Sequence, residues 1–159
     1  MSEAFDPANL SGLELLRAMI AGRGPAPSIS KTLGFRLVEV EKGRAVFEGT
    51  PGPHVLNPLG FVHGGYALTL IDSAAGCAVH TELEAGVGYT TVETKVNFTR
   101  PLPKDGSIVR CEGRVLSRGR QIATADAFLR DAAGKLLAHG TSTLIILGNL
   151  SQNPCAHPE

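Results

Sequence analysis

His63, Gly64 and Gly65 stand together at the start of a long apolar run, and Asp72 follows Gly64 by eight positions inside it. Two glycines opening a helix let a ligand approach backbone N–H groups that have no partner within the helix. Those donors lie at the positive end of the helix dipole, where they suit a carbonyl oxygen that gains negative charge under attack. Asp72 sits between Ile71 and Ala74-Ala75. Burying a carboxylate in such company is costly unless it is paired or used. A structural aspartate and a working one are equally compatible with that position. Asn57, six residues before His63, lies in a Pro/Gly-rich stretch. Asparagine there is commonly a turn residue, although its amide could also orient a water or the carboxylate.

Spacing then separates these groups. Eight positions on a helix at about 1.5 Å each amount to about 12 Å, whereas reacting atoms approach to about 3–3.5 Å. One helix therefore does not readily present both the glycine donors and the carboxylate to the same carbonyl. A second copy of the chain, related by a two-fold axis, would supply the missing half. The spacing predicts a site shared between subunits.

The elements that must position these residues follow from periodicity. Leu10, Leu13, Leu16 and Ile20 recur at helical spacing and Gly22 follows as a stop signal. Gly24-Pro25-Ala26-Pro27 breaks the chain, and a short helical turn around Ile29 and Leu33 comes next. From Gly34 to Gly49 alternation replaces that period, with a turn at Glu41-Lys42-Gly43, so a hairpin is expected. The stretch from Thr50 to Gly60 reads as a loop. From about His63 to Thr81 apolar residues cover more than one face, which predicts a helix wrapped by protein. Four strand-like runs follow, near 88–100, 107–117, 121–130 and 136–147, with connections short enough for hairpins. This order implies an α+β domain in which a mostly antiparallel six-stranded sheet curls around one buried helix. A flat sheet with the helix on one face fits the bare pattern equally well. Phe61, Val62, Tyr66 and the N-terminal helix are candidates to line a pocket, and the polar tail from Gly148 is expected to be disordered.

Composition excludes several classes. Fifteen basic and 15 acidic residues cancel, which argues against a general polyanion binder and a nucleic-acid partner. No run is long and apolar enough for a membrane span, and the first residues lack signal-peptide character, so a cytoplasmic protein is the default. Cys77, Cys111 and Cys155 form no CxxC pair, and Cys77 and Cys111 read as small buried hydrophobes. The five histidines lack zinc-site spacing. No Gly-x-Ser-x-Gly elbow is present. Ser73 adjoins Asp72, but adjacent helix positions point about 100° apart and do not face each other.

The run from Asn57 to Asp72, followed by Thr91-Val92-Glu93-Thr94-Lys95-Val96-Asn97-Phe98-Thr99-Arg100-Pro101, resembles the hotdog-fold acyl-CoA thioesterases. The phenylacetate-degradation type, related to one class of 4-hydroxybenzoyl-CoA thioesterases, is the nearest branch. The resemblance covers roughly residues 34–147. It implies a hotdog domain there, an N-terminal helical extension at 1–33 and a tail at 148–159. It also implies hydrolysis of an acyl-CoA, with CoA as part of the substrate and with neither a cofactor nor a metal. By the same likeness Asp72 is the catalytic carboxylate, either as nucleophile or as general base. The Gly64 N–H, with Gly65, polarises the thioester carbonyl, and Asn57 holds the water or the thioester. Thr91 orients water beside the acid, with Thr90 one place away, and His63 shapes the turn more than it transfers protons. Arg118-Gly119-Arg120, a compact basic turn, becomes the candidate for the CoA phosphates, and the expected assembly is a homodimer or homotetramer. Two rivals remain on the same fold: a hydratase or dehydratase, which would need His63 in a direct role, and a non-catalytic acyl-CoA-binding module.

Overall fold

The protein is described from a computed structural model, which describes residues 7–24 and 26–149. The expected disorder of the tail falls, from residue 150 onward, outside the described residues. Ser11 opens the first helix, α1 (Gly12–Ile20). Its hydroxyl accepts from the Glu14 N–H at 3.4 Å while the Glu14 carboxylate accepts from the Ser11 N–H at 2.9 Å, a closed capping box. Leu16 is buried against Val40, Ala45 and Ala78. A Cβ on Gly12 would lie 1.8 Å from the His80 carbonyl oxygen, so only glycine lets the helix begin this close to its neighbour. A short helix α2 (Ser28–Leu33) follows and ends on Gly34 at φ 72°.

The remaining elements are β1 (Phe35–Glu41), β2 (Arg44–Gly49), α3 (Gly64–His80), β3 (Val87–Phe98), β4 (Val109–Arg118), β5 (Ile122–Asp131) and β6 (Leu136–Asn149). The six strands form one sheet in the order β1-β2-β4-β5-β6-β3, every neighbouring pair antiparallel. The curved sheet packs on α3, whose Ala67, Leu70, Ile71, Ala74, Ala75, Ala78 and Val79 are all fully buried. Small residues make that approach possible: a Cβ on Gly113 would sit 2.3 Å from the Ala74 carbonyl oxygen. This is the hotdog arrangement that the resemblance implies, and it decides between the two sheets that the bare pattern allows.

One expected hairpin does not form. β3 and β4 are adjacent in the chain but not in the sheet, because β3 pairs along β6 from Val87 opposite Asn149 to Phe98 opposite Ala138. The N–H groups of Thr99 and Arg100 then donate to the Leu137 carbonyl at 2.8 and 3.0 Å, carrying the chain along β6 instead of turning it back. The segment crosses to the free edge of β2, where β4 docks with Phe47 opposite Cys111. β3 is left as an edge strand of 12 residues.

Candidate active site

Two regions hold most of the residues that the sequence singles out, one at the start of α3 and one at its middle. At the N-terminal end His63 is the helix cap: its Nδ1 accepts from the Gly65 N–H at 2.8 Å. That contact uses the Gly65 donor, so the expectation that Gly65 helps to polarise a carbonyl is not met by the geometry as it stands. It also gives His63 the turn-forming place that was expected. Gly64, at the first helical position, donates to no other described group. Its absent Cβ makes room for Phe98, whose Cζ would lie 3.1 Å from such an atom.

Asn57 faces the same region. Its Oδ1 accepts from the N–H groups of Leu59 at 3.0 Å and Phe61 at 3.1 Å. Two backbone donors orient the amide and occupy both lone pairs of that oxygen. What Asn57 can still offer is the NH2 group, which donates. Asn57, Gly64, Phe61, Phe98 and Arg100 line one open cleft of about 540 Å³. Val62 is buried in its wall, and the Lys104 ammonium lies 5.7 Å from the Phe61 ring centroid and donates to the Gly60 carbonyl at 3.0 Å.

Asp72, two turns further along α3, lines a different cavity of about 320 Å³. Met19 and Ile20 of α1, Ile29 of α2, and Leu37, Phe47 and Tyr89 make its walls. Thr91 lines it too, yet the hydroxyl bonded to Asp72 belongs to Thr94, whose Oγ1 donates to Oδ1 at 3.1 Å. Strict alternation would put Thr91 and Thr94 on opposite faces of β3. The register shifts between Thr91 and Glu93, so one extra residue is inserted and both threonines turn inward. Tyr66, expected near the pocket, is a core residue at 3% exposure. Its place on the cavity wall is taken by residues of α1 and α2.

Electrostatics sharpen the roles in this region. Burial pushes the Cys77 thiol up to about 12, with the Asp72 charge adding to the shift against a hydrogen bond from Tyr89. A thiol held protonated beside Asp72 is no nucleophile at neutral pH. Burial raises the Tyr89 phenol as well. Gly76 accommodates that phenol, since a Cβ there would lie 2.9 Å from its hydroxyl oxygen. Arg118, Gly119 and Arg120 form an exposed turn with the Gly119 N–H donating to the Ile122 carbonyl at 2.8 Å. Ile122 pairs with Ile145, and Ile145 with Thr90, so the turn lies at the Tyr89 end of β3, away from Gly64 in the same chain. Among the described residues no cluster of three or more His, Cys, Asp and Glu could hold a metal ion, and no helix is long and apolar enough to cross a membrane.

A hotdog sheet with an unpaired helix-start donor and a helix-borne carboxylate is an arrangement that suits attack on an activated carbonyl. The chain belongs to the Thioesterase superfamily, whose family model matches residues 59–138, half of its length. A protein of Saccharolobus solfataricus named as an esterase is 34% identical over 122 residues, spanning 77% of this chain and 85% of its own. Human acyl-coenzyme A thioesterase 13 is 28% identical over 130 residues, spanning 80% and 91%. Among solved structures, a phenylacetic acid degradation-related protein from Ralstonia eutropha JMP134 superposes with a TM-score of 0.73 at 28% identity, covering 82% of this chain and 98% of that one. The protein is a thioester hydrolase.

Proposed function

We propose that the protein hydrolyses acyl-CoA thioesters to a carboxylic acid and CoA, at sites built by two copies of the chain. One observation carries the reading. The pair Gly64 and Asn57 lines one cavity at the start of α3, and Asp72, eight residues on at the middle of the helix, lines another. Neither half suffices alone, because the attacked carbon and its carbonyl oxygen are bonded neighbours.

The free edge of β3 supplies a way to join them. An edge strand presents unpaired N–H and C=O groups that a second copy can satisfy. Antiparallel pairing of β3 with itself reverses direction across the two-fold axis. The Phe98 end of one strand, which lies on Gly64, then approaches the Thr91 end of the other, which lies beside Asp72. In that assembly the Gly64 N–H and the Asn57 NH2 of one copy donate to the thioester oxygen. Asp72 of the other attacks the carbon, or draws the proton from an attacking water. The enclosed apolar cavity beside Asp72 receives the acyl group, and the open cleft at Gly64 receives the CoA arm. The Arg118-Gly119-Arg120 turn of the Asp72 copy comes to the same side as the other copy's cleft, where it can meet phosphates. The name of human acyl-coenzyme A thioesterase 13 supports CoA as the thiol.

Thiol release measured over aryl-, short-, medium- and long-chain acyl-CoAs tests this directly. At least one class should be cleaved to free CoA by the wild type. Tight binding with no release across the panel would contradict the reading, as would hydration of crotonyl-CoA without thiol. Single-turnover hydrolysis in oxygen-18 water separates the two routes, since label in the Asp72 carboxylate marks an anhydride intermediate.

A further inference from the structure

Ser142 lies on β6 at 1% exposure, a hydroxyl enclosed in the core. Its Oγ is 2.8 Å from Thr94 Oγ1, and Thr94 Oγ1 is 3.1 Å from Asp72 Oδ1. Counting protons orders this chain. A carboxylate only accepts, and a threonine hydroxyl has a single proton. With that proton directed at Asp72, Thr94 can only accept from Ser142, and Ser142 must be the donor. Each hydroxyl then polarises the next, and the last bond is charge-assisted.

We propose that Ser142 is a positioning residue for thioester hydrolysis, acting through Thr94 to hold by its Oδ1 the Asp72 carboxylate that lines the cavity. Three elements are tied together by this chain: β6, β3 and α3. Thr94 and Ser142 are direct cross-strand partners, so the sheet itself sets their approach. No other hydrogen bond of Ser142 competes for its proton among the described residues. The bulge after Thr91 is what turns Thr94 inward to receive it. A side chain that only filled its place in the core would not need this order of donors. The proposal rests on Asp72 being the working carboxylate.

Single-turnover thiol release by the full chain, on an acyl-CoA that the wild type cleaves, provides the test. Thr94→Val lowers the rate by about 10²-fold through loss of orientation. Ser142→Ala lowers it by about 10-fold while half-saturation stays within about two-fold, the sign of an effect exerted at the transition state. In the Thr94→Val background, Ser142→Ala causes no further loss, because the link to Asp72 is already cut. Ser142→Thr restores the hydroxyl and the rate to within about three-fold of wild type. Should Thr94→Val not fold, Thr94→Ala removes the same hydroxyl and serves as the background, and Ser142→Ala again causes no further loss in it. Equal losses from Ser142→Ala in the wild type and in the background without the Thr94 hydroxyl, or a wild-type rate for Ser142→Ala alone, would overturn the relay. If Asp72→Asn is inactive while Ser142 acts independently, the relay alone falls. If Asp72→Asn turns over normally, the reading of Asp72 falls and takes the relay with it.

Discussion

The start and the middle of α3 solve opposite problems with the same helix. At the start, everything is arranged to leave a donor bare. His63 caps Gly65, Gly64 carries no side chain, Asn57 is fixed by its own loop, and the cleft above them is open. Two turns on, everything is arranged to hold a charge inside. Asp72 is steadied by Thr94, its neighbour Cys77 is kept protonated by burial, and α1 and α2 close the cavity. An exposed donor needs no partner until substrate arrives, whereas a half-buried carboxylate does. The difference explains why the first region is made of loop and glycine, and the second of packed strand and helix.

Substitutions in the two regions should therefore fail differently. The largest effect is expected at Asp72: Asp72→Asn removes the attacking or proton-accepting group and lowers the single-turnover rate by about 10³-fold or more, with the circular dichroism spectrum unchanged. Retained turnover would remove Asp72 from the chemistry. Next comes Gly64→Pro, which deletes the N–H at a helical position that proline suits and sets a Cβ 3.1 Å from Phe98, a crowding that Gly64→Ala reproduces with the N–H kept. His63 at ψ 137° already has the extended conformation required before a proline. Loss of one oxyanion donor should lower the rate by about 10²-fold. A wild-type rate would show that the bare N–H does not contact the carbonyl.

Smaller effects separate stability from chemistry. His63→Ala removes a helix cap worth about 1 kcal/mol. A melting-temperature loss of roughly 2–4 °C is the corresponding shift for a chain of this size. A loss of activity as large as that of Gly64→Pro would instead make His63 a participant. The smallest effect concerns pH. Burial lowers the folded-state pKa of His80, so the fold favours its neutral ring. The unfolded chain then binds the proton more readily, and stability is complete above an unfolded value of about 6.5 and declines as pH falls below it. Melting between about pH 7 and pH 5 should show that decline, and His80→Gln should flatten it. An unchanged slope in that variant would assign the acid sensitivity to other groups.

How far each region was legible in the sequence follows from its physics. The donor region is local: two glycines and the onset of a period are contiguous, so bare N–H groups can be read from spacing, whereas the His63 ring that takes up the Gly65 N–H is a matter of side-chain geometry. The long helix and all six strands are legible from periods that are local in the same way. The acid region depends on pairing. Thr94 meets Asp72 only because a bulge between Thr91 and Glu93 shifts the face of β3, and no residue in that run announces it. Ser142 is 48 residues further on and joins only through the β3–β6 register. The β3–β4 connection misleads in the same way, since its length suits a hairpin while the sheet order places β3 at the far edge. Tyr66 has pocket-like chemistry but is turned into the core, where its hydroxyl lies 3.5 Å from the Gly34 carbonyl oxygen.

The claim that each site takes the start of α3 from one copy and its middle from the other is tested most directly by complementation. Asp72→Asn and Gly64→Pro chains are co-expressed with different tags, and the mixed dimer is isolated. A shared site predicts that one of the two sites in the mixed dimer carries both substitutions and the other carries neither. Its rate should then be about half that of the wild-type dimer, although each parent variant is nearly inactive. A mixed dimer as inactive as its parents would place Asp72 and Gly64 in the same site and contradict the account.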